Sequence, residues 1–458
     1  MTSISTWALS NWPFDMVKFL NYYTTILHND GINIDMYEAY CGTDDVWVAT
    51  ECISNLIQYQ PGTVYPLNWD FADFDWFYGM SFAYMNSGSV ATKCYQRSPG
   101  VASGIAALTA LPSDACPTFI TCCNFKGQAI LGGIISTDPT WTHLGKSSVA
   151  WGAIGQWEFR PSINRTAGFM RMPWADWDQG LVLKVARLGE RVIVYGNGGS
   201  CALSPYTKDN AVGFGLDDKV MGPGIESGFH WAGDHDRHLF IGNDHNLYLS
   251  NETGDWGKAL GFKKLGYKEY IDDLMVEATD HGLGTPLCMS YDSLKKCFLI
   301  SSPFSCYGLT EYGLYKCHQV TSGVGRYRGS KLTGFTLDTG DYEGRMTGDT
   351  IDMRLRGMKT VETIEYGMDC GSDAYGTIDF KYDYVHNPIY RNGSWKPISQ
   401  NGVVYPGITA SDFRVRFKTS DYRDGVKLDY TNVKWKLSDK RSVRGMYNAN
   451  KAQSGQAE

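Results

Sequence analysis

Residues 180–203 read GLVLKVARLGERVIVYGNGGSCAL, and residues 228–250 read GFHWAGDHDRHLFIGNDHNLYLS. In the first stretch Leu181, Leu183 and Val185 alternate with Val182, Lys184 and Ala186. A Leu188-Gly189-Glu190-Arg191 turn then leads into the apolar run Val192-Ile193-Val194-Tyr195. In the second, Gly233-Asp234-His235-Asp236 and Asn243-Asp244-His245-Asn246 interrupt successive apolar runs. Short apolar runs cut by Gly, Asp and Asn mark antiparallel hairpins, since those residues tolerate left-handed backbone and bond their own turns. The alternation predicts Leu181, Leu183 and Val185 on one face of a strand. Consecutive hairpins have to bury their apolar faces on one another, so radial or sandwiched sheets follow.

The same unit recurs outward from this stretch. Thr118–Ile135 (TFITCCNFKGQAILGGII) turns at Asn124-Phe125-Lys126-Gly127, and Thr285–Ser302 (TPLCMSYDSLKKCFLISS) turns at Asp292-Ser293-Leu294-Lys295-Lys296. Val149–Phe159 is a shorter version. Spacing is irregular and no strict motif repeats. The expected fold is therefore mainly β: a degenerate β-propeller body with a C-terminal β-sandwich-like domain. The alternative is a multi-sheet β protein without radial symmetry. Val192, Val194, Phe240, Leu247, Phe298 and Ile300 are expected on strands with most of their side chains in a shared core.

At 458 residues the chain is too long for one core. Its 51 glycines and 14% aromatic content suit a turn-rich β protein. The propeller body is expected over 116–335, with the irregular, aromatic-rich residues 1–115 contributing to it. Within that first part Phe14–His28 predicts a short helix. Asn68–Tyr84 predicts either a helix or loop packed under the body or an exposed aromatic patch for a partner. A boundary is expected between Gly323 and Gly348. Beyond it, 350–447 carries four alternating stretches (Thr350–Met368, Thr377–Val385, Ala410–Ser420 and Lys427–Arg441) with charged residues outward, as in a sandwich. Residues 448–458 have no core-forming pattern and are expected to be a flexible tail.

Net charge is −7 and unevenly spread. From Ile351 onward 17 Lys and Arg face 13 Asp and Glu, net +4, which leaves 25 against 36, net −11, in the first 350 residues. An acidic body with a mildly basic tail does not read as a DNA-binding domain. The amino terminus lacks the basic and apolar regions of a signal peptide. No run of 18 apolar residues predicts a membrane span. The 12 cysteines contain no CxxC pair and are expected reduced and mostly buried.

The densest set of metal-ligand residue types is His230, Asp234, His235, Asp236 and His238. On a strand only residues two apart share a face, so Asp234 with Asp236, or Asp236 with His238, could act together. A Gly-Asp-His-Asp turn needs the same residues for its own hydrogen bonds, and a solvated turn without metal is the expectation. Gly196–Ser200 follows a strand and reads as a turn, not a phosphate cradle. No GxSxG, HExxH, Walker loop or GxGxxG is present. Ser250–Trp256 resembles the Asp-box of sialidase-like propellers but has Glu252 where that family has Asp, lacks its Thr, and brings Trp256 one residue early. Phe159-Arg160-Pro161 resembles that family's early Arg motif without its Ile. The nucleophile, acid and Arg triad required for glycan cleavage are not assignable. No catalytic, cofactor-binding or metal residue is expected, and the chain does not read as an enzyme.

LGERVIVYGNGGSCALSP, HLFIGNDHNLYLS and LGYKEYIDDL, followed by YDSLKKCFLISSP, LRGMKTVETIEYG and DKRSVRGMY, resemble in style and order the tail hub or nozzle proteins of short-tailed bacteriophages. The resemblance spans Gly180–Tyr447. It implies a homo-oligomeric ring, sixfold, stacked below portal and adaptor around the DNA exit channel. It also implies neighbouring tail proteins such as adaptor and fibre or spike, passage of genomic DNA without sequence-specific binding, and assembly in the host cytoplasm into a virion tail. Such a protein acts in DNA retention and ejection and carries no active site or cofactor. A carbohydrate-binding or glycan-cleaving propeller is the other reading.

Overall fold

Successive four-stranded antiparallel meanders build the first part of the chain. In this computed structural model the described residues are 113–438, apart from 137, 157, 177–179, 209–210, 252–260, 281–286, 303, 318, 322–323, 328–329, 334–335, 339–342, 349, 352–356, 383–389 and 422–425; before residue 113 only strand backbone is described. Two compact units form: Met1–Phe304 with Val320–Leu337, and Ser305–Gln319 with Asp338–Glu458.

In the first unit, β1 (Met16–Leu20), β2 (Tyr23–Asn29), β3 (Asn33–Cys41) and β4 (Trp47–Gln58) form one sheet, with Thr2–Ser3 added to β4. The helix expected over Phe14–His28 is instead the β1–β2 pair, with Met16 opposite Leu27. Its Thr24-Thr25-Ile26 run is β-branched, and β-branched residues favour strand over helix. Asn68–Tyr84, for which a packed helix or loop was one expectation, holds the hairpin β5 (Ala72–Phe77) and β6 (Met80–Met85), continued by β7 (Lys93–Arg97) and β8 (Leu108–Ala110).

Three more sheets follow in the same order. They are β9 (Phe119–Phe125), β10 (Gln128–Ile134), β11 (Ser148–Trp151) and β12 (Gly168–Arg171); β13 (Val182–Leu188), β14 (Arg191–Gly196), β15 (Gly199–Lys208) and β16 (Ala211–Gly222); β17 (Trp231–Gly233), β18 (Arg237–Ile241), β19 (Leu247–Asn251) and β20 (Phe262–Gly266). A helix, α1 (Lys268–Asp280), leads to the pair β21 (Cys288–Asp292) and β22 (Cys297–Ser301). Strand patterns do not predict α1; Ile271 and Leu274, three apart and each 1% exposed, hold it to the body.

The turns form where the residues demand them. Lys126 (φ 47°) and Gly127 (φ 86°) are both left-handed, as a two-residue type I′ hairpin requires, and Gly127 N donates to Asn124 Oδ1 at 3.1 Å. The β13–β14 turn uses Gly189 at φ 53°. These turns touch one another: Lys126 pairs with Glu190, and Gly189 N donates to the His235 carbonyl at 2.6 Å.

Both faces of β13–β16 are buried. On one side Val182, Val185, Val192, Val194, Cys201 and Phe214 meet Phe125, Ile130 and Trp151 of the preceding sheet. On the other, Leu183, Leu188, Ile193 and Tyr195 meet Phe240 and Tyr248 of the following sheet. Burial on both faces is why Val192–Tyr195 is continuously apolar rather than alternating. The expected grouping of Leu181, Leu183 and Val185 fails here. Val182 pairs with Gly196 and Lys184 with Tyr195, so Leu183 is an extra residue in a β-bulge, and Val185 turns to the face of Val182.

The first strands of successive meanders lie side by side, β1 against β5, β5 against β9, β9 against β13, and β17 against β21. The circle returns through Val324–Tyr327, which contacts both β21 and β1. The unit is a β-propeller whose sheets share no repeating motif. Val192, Val194, Phe240, Leu247, Phe298 and Ile300 all lie on strands, and each is at most 5% exposed.

The second unit contains the hairpin β23 (Cys306–Thr310) and β24 (Gly313–Cys317), with β27 (Lys359–Cys370), β28 (Ala374–Lys381), β29 (Val403–Val404), β30 (Ile408–Ala410), β31 (Asp412–Thr419) and β32 (Val426–Leu437) in its C-terminal part. Before them β25 (Ser330–Thr333) belongs to the first unit and β26 (Gly344–Thr347) to the second. One sheet joins β24, β26, β31 and β28; another pairs β27 with β32 on one edge and with β29 and β30 on the other. Val361, Ile364 and Tyr366 from the second sheet and Ile378, Phe413, Val415 and Phe417 from the first share one core, a sandwich.

The charged residues of β31 do not all face outward as expected. Arg414 and Arg416 are 4% and 9% exposed, Arg416 Nη1 donates to the buried Asp379 Oδ1 at 3.1 Å, and the guanidinium carbons of Arg414 and Arg416 sit 3.8 Å and 4.8 Å from the ring centres of Tyr390 and Trp395. Alternation assigns two faces to a strand, but a covering segment decides which of them meets water. Residues 352–356, the DKRSVRGMY stretch and the tail 448–458 lie outside the described residues.

Candidate functional site

The histidine and aspartate cluster read from the sequence is divided by the fold. β17 is three residues long and separates His230 at one end from Asp234, His235 and Asp236 at the other. Asp234 Oδ1 accepts the backbone N–H groups of Asp236 (2.9 Å) and Arg237 (3.0 Å), an Asx turn. One ligand atom from each of Asp234, His235 and Asp236 lies within 4.8 Å of the other two. Turn curvature, not strand parity, gathers them, so three consecutive residues converge and His238 stands apart. The side chains of His235 and Asp236 are about two-thirds exposed, at 68% and 67%. Asp234 Oδ1 is already taken by the turn, so the trio is a weak, solvated donor set.

His238 is fully buried between strands. Its Nδ1 lies 2.8 Å from the Tyr195 hydroxyl and its Nε2 3.0 Å from the Arg187 carbonyl oxygen. A carbonyl accepts only, so the proton is on Nε2 and Nδ1 accepts from Tyr195. Burial pushes the imidazole down to about 4 and raises the Tyr195 phenol. The group is a strut joining β13, β14 and β18.

A second histidine group gathers around the turn between β18 and β19. His245, at φ 59°, places Nδ1 2.5 Å from Asp272 Oδ1 on α1 and Nε2 3.5 Å from Glu226 Oε1; Lys268 Nζ lies 3.1 Å from Asp272 Oδ2. Neighbouring His230 is buried with neither ring nitrogen hydrogen-bonded, and burial, then the charge of His245, push it down to about 4. In the same turn Asp244 Oδ2 accepts from Tyr248 (2.8 Å) and Lys264 (2.9 Å). Partial burial alone would raise this carboxyl, but Lys264, Tyr248 and the Asn246 N–H outweigh it and bring it down to about 2. The sequence marks Asn243–Asn246 only as a turn. Glu226 and Asp272 carry no local signal, because they come from the segment before β17 and from α1.

Chemically this group can hold a proton or a cationic side chain. No serine or cysteine nucleophile is hydrogen-bonded to His245 among the described residues. Arg160 is held by both oxygens of Glu158 at 2.8 Å and by Asp114 at 3.3 Å, so it is not free to receive a sugar carboxylate. The Asp-box positions from Glu252 to Trp256 lie outside the described residues. In the second unit a cavity of about 260 Å³ is lined by Gly376, Thr377, Ser394, Lys396 and Ile408 among others, with no carboxylate among the described residues of its wall.

No family model matches the chain, and no curated protein matches it. Among solved structures, a functionally unknown protein from Desulfotomaculum acetoxidans is 9% identical with a TM-score of 0.34, over 65% of this chain and 91% of that one. BamB from Moraxella catarrhalis is 9% identical, TM-score 0.31, over 73% and 93%. A glycoside hydrolase family 43 arabinoxylan arabinofuranohydrolase from Bacillus subtilis is 8% identical, TM-score 0.29, over 94% and 81%. Likeness at this level bears on neither family nor activity.

Proposed function

We propose that this chain is a structural ring component of a bacteriophage virion tail, a hub or nozzle around the DNA exit channel. The observation that carries the reading is how its perturbed groups are used. His238 with Tyr195, and Asp244 with Tyr248 and Lys264, are bound into struts between strands and turns, whereas an enzyme aims such groups into a cleft. Work by shape and closure requires that arrangement. The charge division fits the same reading: a body of net −11 does not grip phosphates and so does not retard DNA passage. An acidic surface on one copy meets the basic C-terminal part of the next in head-to-tail contacts, which close into a ring when the rotation permits. Six copies would stack below the portal and adaptor and carry fibre or spike proteins, retaining and then releasing the genome.

The test is the mass of the purified full-length chain by light scattering together with negative-stain images. A closed ring of about six copies is expected. A chain that stays monomeric inside an assembled particle would overturn the reading.

A further inference from the structure

We infer that Cys306 and Cys317 form a disulfide across the β23–β24 hairpin when the chain meets an oxidising thiol–disulfide pool. The two residues are direct partners in the antiparallel register, Cys306 opposite Cys317, Tyr307 opposite Lys316 and Thr310 opposite Gly313. Directly opposed residues put both side chains on one face with Cα atoms roughly 4.5–5.5 Å apart. That lies inside the window of about 4.4–6.8 Å that a disulfide spans, so the Cα separation is compatible with the bond. Both thiols are reduced in this structure.

The register singles this pair out. Of the described cysteines on paired strands, Cys122 faces Leu131, Cys123 faces Ile130, Cys201 faces Val194, Cys288 faces Ser301, Cys297 faces Asp292 and Cys370 faces Val426. Cys306 and Cys317 alone face each other. They differ in access, Cys306 being buried and Cys317 partly exposed, which sets the order of events. The Cys317 thiolate attacks the disulfide of oxidised glutathione, forming a mixed disulfide and releasing one glutathione thiolate. The Cys306 thiolate then attacks the Cys317 sulfur, the protein disulfide forms, and the second glutathione thiolate leaves. The two cysteine protons end on the two glutathione thiols. The protein loses two electrons and oxidised glutathione gains them.

The bond would clamp a hairpin that lends its second strand to the sandwich, since β24 pairs with β26. The inference stands on this register and does not depend on the virion reading.

The full-length protein, purified under reductant and freed of it, is incubated with oxidised glutathione, alkylated and digested with trypsin without reduction. Cleavage after Lys296, Lys316 and Arg326 places Cys306 in fragment 297–316 and Cys317 in fragment 317–326. The expected product is these two fragments joined, lost on adding dithiothreitol, absent from Cys317→Ser and retained in Cys297→Ser. Cys317→Ser changes the more exposed partner, so it folds even where the buried site tolerates no change. Recovery of both cysteines in alkylated form, or fragment 317–326 joined through Cys297 or any other cysteine, would overturn the inference.

Discussion

The Tyr195 hydroxyl lies 2.8 Å from His238 Nδ1, deep between two propeller sheets, and the opposite ring nitrogen meets the Arg187 carbonyl at 3.0 Å. Residues 43 positions apart thus fix one histidine tautomer and join two blades. Removing the hydroxyl with Tyr195→Phe leaves a buried acceptor without a donor, which costs about 1–3 kcal/mol. The urea midpoint should fall with an unchanged slope. An unchanged midpoint would mean that the pair bears no weight.

His230 presents the opposite case, a buried ring with neither nitrogen hydrogen-bonded. Its neutral form still forfeits the hydrogen bonds that water would offer. His230→Leu is therefore expected to be neutral or stabilising, while His238→Leu destabilises. Thermal melts of the two variants side by side decide it, and a large loss in His230→Leu would contradict the assignment.

Acid should weaken the body. His230 and His238 are each pushed from 6.5 down to about 4, so the folded state keeps them neutral where the unfolded chain protonates them. The unfolded state binds more protons between those values. The stability is intact above pH 6.5, declines as pH falls through that window, and is lost by about pH 4, at a cost of up to about 3 kcal/mol per histidine. Urea titrations at several pH values read it out; His230→Leu should remove part of the slope, and a flat profile would refute it.

Phe240 is fully buried and stacks on Tyr248 with ring centres 5.5 Å apart, while its other contacts reach Tyr195 and Phe262. Phe240→Ala should cost about 3–5 kcal/mol through lost burial and the remaining cavity. A loss below about 1 kcal/mol in chemical denaturation would show that the site collapses around the gap or is not packed as described.

In the second unit Asp379 is fully buried and accepts from Arg416. Asp379→Ala removes this acceptor from the buried cation and should cost about 3–5 kcal/mol. Replacing both residues with apolar ones of similar volume should recover most of it, as a double-mutant cycle would measure; strict additivity would exclude the pairing.

Read alone, the sequence determined the hairpins and their turns. Lys126-Gly127, Gly189-Glu190 and Asp234–Asp236 close strands where local backbone preference and side chain-to-backbone bonding leave few other conformations, and such preferences act within a few residues. The core positions from Val192 to Ile300 were legible for the same reason, as apolar runs between those turns. Tertiary structure decided the rest. The extra residue Leu183 moved Val185 to the other face, because strand parity is lost at a bulge and packing chooses which side is kept. Within the run expected as a helix, Met16–Leu20 and Tyr23–Asn29 became strands once neighbours offered hydrogen bonds. A covering segment buried Arg414 and Arg416. His230 was separated from Asp234 by the short β17, and His245 was brought against Glu226 and Asp272, which lie 46 positions apart in the chain. Contacts of that range depend on how sheets stack, and no local pattern encodes which sheet lies against which.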